Sequence, residues 1–132
     1  MIRRSDWLEK MWSTIEQHQS KPFAWGDNDC CLFSAKVVDA MCDSTFAEKL
    51  KEKYHDQDSA IKYIVEEGGI EAAVSNYLGK SKTGRAQRGD VVMFDGSLGD
   101  TLGICVGNTI AAVSESGVIY MPRSVTICYW TI

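Results

Sequence analysis

Lys21-Pro22-Phe23-Ala24-Trp25-Gly26-Asp27-Asn28-Asp29-Cys30-Cys31-Leu32-Phe33 decides the fold, because it hands a turn over to an apolar helical pattern that starts at a cysteine. From Cys30 onward, Phe33, Val37, Ala40 and Met41 form one stripe at helical spacing, with Asn28 or Asp29 as the cap. The spacing therefore predicts a helix with Cys30 in its first turn. A thiol there meets the positive end of the helix dipole and unpaired N–H groups, which favour thiolate. The same position equally suits a small buried apolar residue, the common state of a free cysteine. Asp29 reads first as loop and cap support, with acid or base work as the alternative. Gly26 reads as a turn residue.

Upstream, Trp7, Leu8, Met11, Trp12 and Ile15 recur at helical spacing behind Ser5 or Asp6, so residues 6 to 18 are expected to form an amphipathic helix that Pro22 keeps from continuing. Downstream, Thr45-x-x-Glu48 has the form of a capping box, and two further helices are expected over 58–67, ending at Gly68-Gly69, and over 70–78, ending at Gly79. A polar joint, Gly79 to Arg85, separates this helical half (1–79) from a strand-rich half (86–132). There Asp90–Phe94, Leu102–Val106, Thr109–Val113, Val118–Met121 and Val125–Trp130 read as strands with short turns, an antiparallel meander. The class is α+β, and 132 residues with 45% hydrophobic content fit a single domain, 1–132.

The net charge of −4 and the scatter of basic residues along the chain argue against nucleic acid as a partner. Neither a signal peptide nor a run of membrane-spanning length is seen, so a soluble chain made in the cytoplasm is expected, without membrane insertion. Five cysteines without disulfide-scaffold density read as reduced thiols; Cys31, Cys105 and Cys128 lie in apolar patterns and read as core. No Cys-x-x-Cys pair exists, and His18 and His55 stand alone in polar segments that read as exposed, so neither a metal nor another cofactor is expected. No histidine follows His55. The four tryptophans, Trp7, Trp12, Trp25 and Trp130, read mainly as core, and any left exposed as interface anchors.

Phe23-x-Trp25-Gly26, then Asp29-Cys30 opening a helix, then Arg88-Gly89-Asp90-Val91-Val92-Met93-Phe94, then Leu102-Gly103-Ile104-Cys105-Val106-Gly107, resembles the NlpC-type papain-like cysteine peptidases that cut bacterial cell-wall peptides. More closely, the chain is similar to a group of short phage and prophage proteins that look like tail-tip peptidases. The resemblance implies a papain-like fold, with N-terminal helices and a helical insertion before an antiparallel sheet or small open barrel. Carried over by position, it makes Cys30 the candidate nucleophile, puts Thr101 where the family has its histidine, and puts the third polar position near Val113. Phe23 stands where the family has a tyrosine. Asp100 is the other polar group beside the histidine position, and an ordinary carboxylate is a poor base for a thiol.

The expectation is a phage or prophage tail-tip or tail assembly component on a degenerate peptidase fold, a pseudoenzyme located in the virion after synthesis in the host cytoplasm. Its partners would be tail hub and tail-tip proteins. The alternative is an active cysteine hydrolase, a peptidoglycan peptide endopeptidase or amidase, that uses Cys30 with a non-standard base on a cell-wall peptide.

Overall fold

The computed structural model describes residues 2–132. Five α-helices, α1 (Trp7–Gln17), α2 (Cys30–Cys42), α3 (Phe46–Lys51), α4 (Gln57–Glu67) and α5 (Ile70–Leu78), precede five strands: β1 (Val91–Gly96), β2 (Gly99–Cys105), β3 (Thr109–Ser114), β4 (Gly117–Pro122) and β5 (Thr126–Trp130). The strands make one open antiparallel sheet in the order β4-β3-β2-β1-β5. The first four form the expected meander; the last crosses to the far side of β1, with a bulge between Met93 and Phe94 that leaves Ile127 exposed. The α+β class holds, with the sheet open.

Strand alternation splits the core in two. Val91, Met93, Leu102, Ile104, Ala111, Val113, Cys128 and Trp130 face the helices, while Val92, Phe94, Cys105, Ile110 and Ala112 form a smaller cluster on the other face with Ala86, which follows the joint. α2 is the central element. Leu32, Phe33, Ala35, Val37, Val38 and Met41 have no exposed surface, so α2 is enclosed by α1, α3 and the sheet rather than buried along one stripe. Each such large side chain contributes about 1.5–3 kcal/mol by leaving water. Trp130, also fully buried, donates its indole N–H to Ser75 at 3.1 Å and so ties β5 to α5.

The chain between α2 and β1 follows its sequence signals with one change of mechanism. α4 opens with a capping box of Asp56 and Ser59 and ends at Gly68 in the left-handed region. At α3, however, Thr45 makes no side-chain cap bond. Asp39, one turn before the end of α2, reaches across instead and accepts from the N–H groups of Phe46 and Ala47, each at 2.9 Å. The carboxylate thus welds two consecutive helices, which a local capping box does not do.

A loop meets each edge of the sheet at one residue. Lys82 exchanges two backbone hydrogen bonds with Tyr129 beside β5 (2.7 and 2.9 Å), and Val118 at the start of β4 donates to the carbonyl of Gln19 at 3.1 Å.

Candidate functional site

Asp29 is the N-cap of α2, in extended backbone conformation and 1% exposed. Its carboxylate accepts from the Leu32 N–H at 2.9 Å, from the Gly26 N–H at 3.0 Å, and from the Tyr54 hydroxyl at 2.9 Å. It is therefore the joint of three segments: the helix start, the turn before it and the end of the α3 loop. The turn itself is held by Asn28, whose buried side chain donates to the carbonyls of Lys21 and Pro22. Gly26 has φ +78°, and a Cβ there would lie 2.2 Å from the carbonyl oxygen of His55. The α3–α4 loop thus packs its backbone directly on the Trp25-Gly26 turn.

Cys30 follows this joint, buried but 8% exposed, as is Cys31 beside it. The Cys31 thiol, as a hydrogen-bond donor, and the Leu102 N–H hold the Cys30 thiol below the ordinary thiol range, against burial and the charge of Asp29. The same pairing and burial push Cys31 upward. Of the two adjacent thiols, the helix-initial one is therefore the more acidic, the direction its place at the helix start favours.

The rest of the peptidase pattern is not assembled around it. Thr101 pairs across β1 with Phe94, and both belong to the sheet face away from α2; its hydroxyl donates to the Gly99 carbonyl at 2.9 Å. The β2 residue on the helix face is Leu102, fully buried and apolar. Val113 is likewise a buried apolar residue. Asp100 is exposed at the β1–β2 turn, opposite Asp95. Asp29, with three donors on its oxygens, acts as a structural anchor.

The two histidines behave differently from each other. His18 is buried, contrary to the polar sequence around it: Nδ1 lies 2.8 Å from the Thr14 carbonyl, and the ring meets Phe33 edge-on at 5.6 Å. An imidazole that closes the C-terminal turn of α1 against the face of α2 is a packing residue. His55 comes near the Cys30 turn through its backbone, as the helical insertion folds back, but its side chain is 83% exposed and pairs with Asp56 at 3.4 Å. Neither imidazole makes a bond with a cysteine among the described residues.

Tyr54 escaped the sequence reading because nothing short-range marks it: it ends the α3 segment, 25 residues from its partner Asp29. Burial first, then the neighbouring cysteines and the Asp29 carboxylate that accepts its hydrogen bond, raise the hydroxyl's pKa and keep it a donor. That hydroxyl donates to Asp29, and Phe23, at the position of the family's tyrosine, packs edge-on to Trp25 at 5.0 Å. No group of three or more His, Cys, Asp or Glu among the described residues is placed to hold a metal ion. Chemically, the site offers a helix-initial thiol whose pKa is lowered, with no imidazole bonded to it among the described residues.

No curated protein matches the chain. Residues 2–132 match a family described only as a domain of unknown function, DUF6950. The match spans the helical and strand-rich halves together, and the chain is thus a member of the DUF6950 family.

Proposed function

We propose that this protein is a phage or prophage tail-tip assembly component whose domain descends from an NlpC-type peptidase and has lost ordinary peptidase activity. The observation that carries the reading is the arrangement at the start of α2: a cysteine in the nucleophile position, with Thr101, at the family's histidine position, on the far face of the sheet and an apolar Leu102 on the face toward α2. Removing the base from such a unit costs several orders of magnitude in rate. The motif order from Phe23 to Gly107 supports the family origin, and the tail role rests on the likeness to tail-tip peptidase-like proteins. Leu8 and Trp12, one turn apart on α1 and 39% and 38% exposed, are suitable anchors for a neighbouring tail protein.

The lowered Cys30 pKa favours a second reading, a cysteine hydrolase without an imidazole base. The two separate on one comparison. Cys30→Ala in the producing phage or prophage leaves tail assembly intact under the first reading, and the wild-type chain leaves cell-wall muropeptides uncut. Muropeptide cleavage that disappears in Cys30→Ala would overturn the assembly reading. Alkylation by iodoacetamide as a function of pH, read by peptide mass spectrometry, supplies the internal control: Cys30 reacts at lower pH than Cys31 and Cys128.

A further inference from the structure

Five of the 14 basic residues line two adjoining grooves. Arg3, Lys82, Arg85 and Arg88 line a cleft of about 450 Å³, with Gln87, Tyr129 and Thr131, at the end of the sheet where β5 leaves. A second groove of about 430 Å³ adjoins it through Arg85 and carries Arg123, Ser124 and Asn108. Arg88 links the two: a Cβ on Gly107, the residue before Asn108, would lie 3.5 Å from its guanidinium. None of these residues belongs to the Cys30 site.

Among the described residues lining the cleft, the only side-chain carboxylate is that of Asp90, and it is buried and engaged. It accepts from the backbone N–H groups of Gln87 (2.9 Å) and Ile132 (3.2 Å), and pairs with Arg3 at 3.4 Å. Arg3 is further fixed by its bond to the Ile132 carbonyl at 2.8 Å and by lying 4.2 Å over the Trp7 ring. Gly89, at φ +94°, leaves the space this guanidinium fills, because a Cβ there would approach it to 2.8 Å. The Arg88-Gly89-Asp90 motif therefore builds one wall of the cleft. Among the described residues, Arg85, Arg88 and Arg123 form no ion pair. In a chain of net charge −4, three free guanidiniums beside a fourth that is preorganised form a strongly segregated positive field.

We infer that this cleft binds a compact anion carrying two or more phosphate groups. Guanidinium forks match phosphate oxygens in pairs, and the two grooves have the size of a small-ligand site. The lining adds the Ser124, Tyr129 and Thr131 hydroxyls and the Gln87 and Asn108 amides, donors that suit the closely spaced oxygens of phosphate groups better than the widely spaced carboxylates of an acidic polypeptide. The phosphates belong either to a free polyphosphate or nucleotide, or to a short stretch of nucleic acid.

The test is calorimetric titration of the full chain with inorganic tripolyphosphate, with a short oligothymidylate, and with a glutamate-rich peptide. Saturable tripolyphosphate binding is expected, weakening as salt rises. Arg85→Glu and Arg88→Glu, both exposed and outside the core, each reduce it by about tenfold or more, the loss of a charged hydrogen bond. Lys62→Glu, the same charge change on the exposed face of α4, leaves it unaltered. Preference for tripolyphosphate assigns a free ligand, and tighter oligothymidylate binding assigns nucleic acid; either supports the site. Equal losses in all three variants, no saturable binding, or tightest binding of the glutamate-rich peptide would overturn it.

Discussion

Replacing Asp29 by Ala removes three bonds at once, and the structure sets the size of the effect. The N-cap bond to Leu32 is worth about 1 kcal/mol. The Tyr54 hydroxyl loses its partner in a buried setting, at a cost of about 1–3 kcal/mol. The Gly26 amide, closer to solvent, adds less. The variant is therefore destabilised by about 2–4 kcal/mol, which for a domain of this length lowers Tm by roughly 8–15 °C. Tyr54→Phe alone costs about 1–2 kcal/mol, because Asp29 keeps its two backbone donors. The decisive quantity is the coupling between them. In the Tyr54→Phe background no hydroxyl is left to be orphaned, so Asp29→Ala costs about 1–2 kcal/mol less than in the wild type. Urea denaturation of the four chains measures this directly. An unchanged cost of Asp29→Ala in both backgrounds, or a cost below about 1 kcal/mol, would refute the reasoning that this carboxylate joins the helix start to the α3 loop.

Gly26→Ala destabilises by about 2–4 kcal/mol or prevents folding, since the new methyl meets the rigid His55 carbonyl and the backbone stays at positive φ; thermal denaturation reads the loss. Asp39→Ala costs about 1–2 kcal/mol and speeds amide exchange at Phe46 and Ala47 while leaving the centre of α2 protected, which exchange mass spectrometry detects. Stability falls as pH rises from about 9.0 to about 11: burial, with Glu71 nearby, raises the Cys128 thiol to about 11, so the unfolded chain loses this proton first. The urea midpoint is expected to drop across that window and to drop less in Cys128→Ala.

Most element boundaries were legible because their signals are local. Asp29 before an apolar stripe, Gly68-Gly69 and Gly79 after helical runs, and the glycine and asparagine turns between strands each act over a few residues. What was not legible depends on distance along the chain. His18 lies in polar sequence yet is buried, because the partner that covers it, Phe33, belongs to the next helix. Thr45 carried a capping signature that Asp39 overrides from the preceding helix. Tyr54 and Asp29 meet through the folded-back insertion, and Arg3 joins Lys82, Arg85 and Arg88 only when the two ends of the chain come together. At the candidate site, the position of Cys30 at the helix start was readable. That Leu102 rather than Thr101 faces α2 follows from strand register, which a single residue's parity decides.

The two loops that occupy the sheet borders limit how this protein can associate. An open sheet ordinarily offers its outermost strands as templates for pairing with another chain, the route to both aggregation and recognition by strand addition. Here Tyr129 already has its backbone partners in Lys82, Val118 has one in Gln19, and β4 runs out at Pro122, which has no N–H to donate. At these positions a partner chain must displace a loop before it can extend the sheet, which shortens the stretch of each edge that is open to pairing.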